Sequence, residues 1–299
     1  MNSRIDKLLI LCLIFVISLC SNIYSNENKW KIEIELEKHE YVLHERIWLD
    51  VTLTNNTSDS LRTHGLEDPN HRQFTIEIKD SYGKLLEYTG ITFLMASGSG
   101  QLLLKPEEQD YGSFNLTELF GSQEKNSGYL ALHWIFPFIP KGSYIVQVLF
   151  EGDMSNELSF NIVEPFGEEK EVLDLIEKAS GIWARDNTSP SIQSFQNIVD
   201  RFPNSVFTEQ SFYFSKAYAF DNIDKTLHGL PDIRILYREM LERYPNSGKS
   251  KGWLLSITRD LDDEEKIELF NKYFEENPNT RCSKFADQMR KRLLNKKGE

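Results

Sequence analysis

The sequence predicts a multidomain, β-plus-α chain, with an N-terminal antiparallel β-sandwich followed by a C-terminal α-helical repeat array. Three observations predict it. The first half alternates apolar and polar residues with period two. The second half changes to a period near 3.6. A seven-residue pattern then recurs three times in the last third. The chain's 299 residues suffice for two cores, and 40% apolar with 12% aromatic residues suits folded domains rather than disorder.

The N-terminus stands apart from the fold. Arg4 and Lys7 precede an apolar run from Leu8 to Leu19, and polar sequence resumes at Ser21. That run is short for a bilayer span and suits the core of a secretory signal. The expected organisation is a signal peptide over 1–25, a β-sandwich over 26–164 and helical repeats over 165–299, with export to the periplasm or cell envelope, or secretion. Cleavage after Ser25 or after Cys20 would leave a small residue at the cut. Cys20 is a candidate lipidation site, but Leu19 stands where a lipoprotein signal wants a small residue, so simple export is preferred. Membrane association would follow only from lipidation of Cys20 or retention of the segment. Cleavage leaves Cys282 alone, so no intramolecular disulfide is expected and the hydrophobic cores must supply the stability.

Strands are expected at 30–38, 47–53, 74–78 and 144–150, where alternation marks half-buried antiparallel strands. Trp48 is one apolar residue too many for that pattern. Leu102 to Leu104 is a short apolar run that suits a fully buried strand. Turn chemistry separates these runs at Asn55-Asn56-Thr57, Asp80-Ser81-Tyr82-Gly83, Pro140-Lys141-Gly142 and Glu151-Gly152-Asp153.

After Glu164-Pro165-Phe166-Gly167 the period changes. Val172, Leu175, Ile176, Ala179 and Trp183 form one helical stripe, and Ser189-Pro190 opens the next helix. The recurring pattern follows. Its copies are Phe195, Ile198, Val199, Phe202, Pro203, Asn204, Ser205; then Tyr237, Met240, Leu241, Tyr244, Pro245, Asn246, Ser247; then Phe270, Tyr273, Phe274, Asn277, Pro278, Asn279, Thr280. Each opens with a helical stripe and closes with Pro-Asn-Ser/Thr. Proline ends the helix, and the Ser or Thr is a good N-cap for the next one. Helices are therefore expected at 206–220, 249–259 and 281–294, with an insertion near 221–231. Units that cannot bury an apolar face alone must stack.

Charge divides the chain as the period does. Residues 26–164 carry 22 acidic and 11 basic side chains, a net of −11, whereas 165–299 carry 23 and 21, a net of −2. Neither half has the basic footprint that nucleic acid requires. The basic end formed by Arg290, Lys291, Arg292, Lys296 and Lys297 reads as a solvated helix terminus.

The first half resembles the immunoglobulin-like sandwich domains of exported bacterial proteins, including the group related to the intracellular proteinase inhibitor fold. The resembling residues are Tyr41 to Ile47, Val51 to Asn56 and Ile139-Pro140-Lys141-Gly142-Ser143-Tyr144. The second half resembles the tetratricopeptide-like repeats of bacterial envelope lipoproteins, on Arg201-Phe202-Pro203-Asn204-Ser205 and Arg243-Tyr244-Pro245-Asn246-Ser247. The spacing of 33 residues between Pro245 and Pro278 fits that unit, which is roughly 34 residues long.

These resemblances imply a non-catalytic, exported envelope protein. Its helical repeats would bind a protein or peptide partner, and the sandwich would act as docking or spacer domain. Tyr213, Tyr218, Arg234 and Tyr237 are the candidate partner-binding residues. A proteinase inhibitor acting through a sandwich loop is one alternative. A metal-dependent enzyme is the other, with His64, Glu67, Asp68 and His71 as weak candidate ligands within one loop. No nucleophile with a recognisable base and no cofactor fingerprint stands out, so no catalytic residue and no cofactor is expected.

Overall fold

The computed structural model describes residues 28–66, 73–89, 102–121, 138–186, 189–221 and 233–297, without the side chains of 180–191, 217–221 and 296–297. The expected signal peptide and Cys20 lie outside them. The chain is mixed β plus α, and its long helices occupy the C-terminal half. No helix among the described residues is long and apolar enough to cross a membrane.

The strands are β1 (Trp30–Leu36), β2 (Glu40–Val42), β3 (Trp48–Asn55), β4 (Leu61–Thr63), β5 (Phe74–Asp80), β6 (Leu102–Leu104), β7 (Gln109–Asn115), β8 (Gly142–Phe150), β9 (Asp153–Met154) and β10 (Leu158–Val163). One sheet runs β1-β3-β7. A second runs β2-β10-β8-β5, with β9 on β8, and β4 pairs with β6. The alternation predicted for β1 is present, with Trp30, Ile32, Ile34 and Leu36 buried and the residues between them exposed. These side chains join Leu49, Val51 and Leu53 of β3 and Ile76, Val146, Val148 and Phe160 of the second sheet in one apolar cluster. Trp30 fastens the two sheets together. Its indole nitrogen donates to Glu151 at 3.0 Å and its backbone nitrogen to Asp153 at 3.0 Å.

The expected turns form as their residues dictate. The Asp80 carboxylate accepts from the backbone of Tyr82 and of Lys84, and Gly83 takes a positive φ of 79°. Tyr144 donates its hydroxyl to the carbonyl of Pro140 at 2.7 Å, closing the loop before β8. Two strand expectations need correction. Leu102 to Leu104 is not fully buried: among the described residues it pairs only with the short β4, and Leu103 is exposed. β7 was not predicted. Its sequence, Gln-Asp-Tyr-Gly-Ser-Phe-Asn, lacks the β-branched residues and the alternation that mark a strand.

The helices are α1 (Leu116–Phe120), α2 (Gly167–Asp186), α3 (Ser189–Arg201), α4 (Thr208–Asp221), α5 (Ile233–Arg243), α6 (Ser250–Thr258), α7 (Asp263–Glu276) and α8 (Arg281–Lys297). The repeated stripes face inward. Phe195, Ile198 and Phe202 pack with Val172 and Ile176 of α2. Met240, Leu241, Phe270 and Tyr273 share a second cluster with Trp253, Leu254, Ile257 and Phe285. The expected inward stripe breaks at Phe274, which is 39% exposed.

Each turn between repeated helices is built alike. The backbone nitrogen of Ser205, Ser247 or Thr280 donates to the carbonyl three residues earlier. A further hydroxyl, three residues on, is buried in every copy: Thr208, Ser250 and Ser283. Each donates back into the turn, to the carbonyls of Phe202, Ser247 and Thr280 respectively. The full signature is therefore Pro-Asn-Ser/Thr-x-x-Ser/Thr. The predicted N-cap holds only for Thr280, which accepts from Ser283 at 3.2 Å at the start of α8. Ser205 and Ser247 instead accept from the nitrogens of Phe207 and Lys249 and close an extra turn, so α4 and α6 begin three residues beyond these serines, at Thr208 and Ser250.

Candidate functional site at the sheet–helix junction

β3 is buried on both faces. Leu49, Val51 and Leu53 point into the sheet core. Trp48, Asp50, Thr52 and Thr54 lie on the opposite face by strand alternation, and the helical half packs there. This accounts for the extra apolar residue, because Trp48 belongs to the helix-facing row. A Cβ added to Gly248 would collide with the Trp48 ring, so the turn of the second repeat sits directly against the indole. Gly248 follows Ser247, and the same position in the third copy is Arg281. The Nε of Arg281 donates to both carboxylate oxygens of Asp50, at 2.9 and 3.0 Å, and its Nη1 to the carbonyl of Asn246 at 2.6 Å. Arg281 and Asp50 are 6% and 8% exposed. Burial works against the Arg281 charge, but the Asp50 carboxylate outweighs it and raises the guanidinium pKa above its ordinary value.

From Arg281 a stripe runs along α8 at helical spacing, through Phe285, Gln288, Arg292 and Asn295. The Phe285 ring lies 4.8 Å from Tyr111 of β7. Gln288 and Arg292 both donate to the buried carboxylate of Asp110, Arg292 at 2.6 Å. Asn295 donates to Glu108 at 3.3 Å. Asp110 also accepts from the backbone of Leu66 at 2.8 Å, which ties the loop after β4 to the same point. The basic end is therefore not simply a solvated terminus. Arg292 is bound to the edge of the sheet, and Arg290 pairs with Asp287 at 2.6 Å. The buried carboxylate of Asp110 on β7 holds Arg292 inward, which charge spacing alone does not reveal.

A second group lies at the other end of the junction. Arg46 donates to Glu209 of α4 at 3.0 Å, and Ser247 donates to the same oxygen at 2.9 Å. Lys249 lies 3.5 Å from Glu118 of α1. Burial, then the nearby Arg46 charge, lowers the Lys249 pKa. Glu45 is buried; burial raises its pKa, opposed by Lys38 at 2.7 Å and by the backbone nitrogen of Val42 at 3.0 Å.

The sequence candidates fall elsewhere. Tyr213 and Tyr237 are half-buried and both pack on the second helical cluster, and the Lys249 ammonium lies 5.8 Å from the Tyr213 ring. Arg234 pairs with Asp260 at 3.1 Å on the surface. The side chain of Tyr218 lies outside the described residues, as do Glu67, Asp68 and His71 of the loop metal candidates. His64 precedes the Gly65-Leu66 segment held by Asp110. Among the described residues no group of three or more His, Cys, Asp or Glu is placed to hold a metal ion. Burial pushes the Cys282 thiol up to about 12, which keeps it protonated and unreactive. Sequence reasoning missed Asp50, Asp110, Arg281 and Gln288. The available signal was the polar stripe on α8 and the second hydroxyl of each turn.

No protein-family model matches this chain, and no curated protein is similar to it in sequence. Solved structures give weak likenesses. The alkylpurine DNA glycosylase AlkC of Pseudomonas fluorescens, bound to DNA containing an abasic-site analog, is 15% identical, with a TM-score of 0.27. That match covers 45% of this chain and 30% of that one. A CARDB domain from Pyrococcus furiosus, in complex with di-metal ions, is 10% identical at a TM-score of 0.25, over 46% of this chain and 94% of that one. The sporulation control protein Spo0M of Bacillus subtilis is 12% identical at 0.25, over 50% and 56%. Likenesses this weak carry no argument about fold family or activity.

Proposed function

We propose that the chain is a non-catalytic, exported envelope protein built from an immunoglobulin-like β-sandwich and a tetratricopeptide-like helical array, which binds a protein or peptide partner through its helices. The supporting observation is the thrice-repeated turn. Copies two and three present their turns to one face of β3, through Gly248 and Arg281. Consecutive units are also joined, since the backbone nitrogen of Cys282 donates to the carbonyl of Pro245 at 2.9 Å and Ser247 reaches Glu209. The sandwich thus braces the array along its row of turns. Helix surfaces remain for a partner, and Ile233, Ile235 and Leu255 are exposed on α5 and α6.

Affinity capture with the full chain, in the presence of a chelator, tests this reading. A specific protein should be retained with metal removed, and Arg234→Glu or Tyr237→Ala should weaken its retention. Capture that depends on metal, or that ignores both substitutions while a change on the outer face of β5 abolishes it, would reject it.

A further inference from the structure

We propose that the cavity between β7 and α8 is a binding site for a neutral, hydroxyl-rich ligand, a glycan segment of one or two sugar rings. The cavity measures about 450 Å³, within the range of small-molecule sites. Leu102 and Leu104 of β6 supply apolar wall, and Gln288 and Arg292 of α8 supply polar lining. Gln288 is 8% exposed. Its amide nitrogen is occupied by Asp110, while its carbonyl oxygen is buried without a hydrogen-bond partner. A buried acceptor in this condition favours a ligand that donates.

The charges of the lining choose among donors. Lys284, Lys291 and Arg292 meet Glu107, Glu108 and Asp287 in the lining, with the Asp110 carboxylate behind Arg292, so no positive charge is left over to attract a phosphate. All three cations lie in pairs: Lys284 with Glu35 at 3.8 Å, Lys291 with Asp287 at 2.7 Å, and Arg292 with Asp110. The Lys291–Asp287 pair sets a donor beside an acceptor within the lining. A sugar hydroxyl donates and accepts at once and can use both members, while the C–H face of its ring suits the leucine wall. The site is separate from the helical surface assigned above to a protein partner, and neither assignment depends on the other.

Titration of the full chain with cellobiose, maltose and di-N-acetylchitobiose by calorimetry and ligand-observed NMR tests the proposal, with inorganic phosphate and trialanine as counter-probes. At least one disaccharide should bind at millimolar concentration. Gln288→Leu should weaken it by about tenfold or more, the consequence of losing one hydrogen bond to a buried group. Lys291→Ala alters an exposed rim residue, should leave the thermal midpoint unchanged, and should also weaken binding. Three results would overturn the proposal: no disaccharide binds at millimolar concentration, affinity is the same in both variants, or phosphate or trialanine binds more tightly than every disaccharide.

Discussion

Arg281 and Asp50 are separated by 231 positions in the chain, yet they form a buried ion pair that locks the third repeat turn to the middle of β3. Removing Arg281 strands the buried Asp50 carboxylate, and removing Asp50 leaves Arg281 with Glu37 at 3.3 Å and the Asn246 carbonyl. Arg281→Ala or Asp50→Ala should therefore cost about 3–5 kcal/mol in equilibrium denaturation. Replacing both with apolar residues of similar volume should recover much of that loss, because neither charge then remains buried and unpaired. A single-variant cost no larger than that of an exposed surface pair would show that the junction opens freely.

Gly248 is a glycine because of the indole that covers it. Gly248→Ala places a methyl where the Trp48 ring lies, and should cost about 1–3 kcal/mol as an overpacking change. Trp48→Ala removes the obstacle. In the double variant the two costs should fail to add, and a double-mutant cycle measures the coupling directly. Simple additivity would place the indole away from this turn in solution.

Glu45 sets a pH dependence of definite sign. Burial raises its folded-state pKa above 4.5, so between 4.5 and that raised value the folded chain binds more protons than the unfolded one. Its contribution therefore falls as pH rises through this window. Lys38 and the Val42 nitrogen limit the fall, while Glu37 on the same segment adds to it; Arg46 and Glu209 face the same cleft. Glu45→Gln should flatten the stability profile just above pH 4.5, as read by chemical denaturation at several pH values. An unchanged slope would mean that this carboxylate titrates as it does in the unfolded chain.

Leu241 tests the repeat stripe. It is fully buried in the second helical cluster, and Leu241→Ala should destabilise the chain by about 2–5 kcal/mol. Loss of helical signal on urea titration gives the measurement. No change would mean that the apolar stripe does not carry the core.

Much of the architecture was legible because period is a local property. Trp30 to Leu36 alternates cleanly, and Phe195 to Phe202 carries one helical stripe, so both elements could be placed without their partners. Trp48 was visible as an irregularity, but its cause lay elsewhere in the chain. It belongs to a strand covered on both faces, and Gly248, which lies against it, is 200 positions away. β7 escaped for a related reason. Asp110, Gly112 and Asn115 have poor strand propensity, and contacts made by Leu66, Gln288 and Phe285 hold this segment in the sheet. The junction was the least legible part. Asp50 and Arg281 read as ordinary surface charges until topology pairs them, and periodicity has no term for a polar stripe that is buried. The sequence marks Tyr213 and Tyr237 as candidate groove contacts, and each spends part of its surface on helix packing.

The most direct test of partner binding through the braced helical array is site-specific photocrosslinking in intact cells of the native organism. A photoreactive residue replacing Arg234 or Tyr237 should form a specific protein adduct, while one replacing Lys31 or Thr75 on the sheets should not. Adducts confined to the sheet positions, with none from the helices, would contradict it.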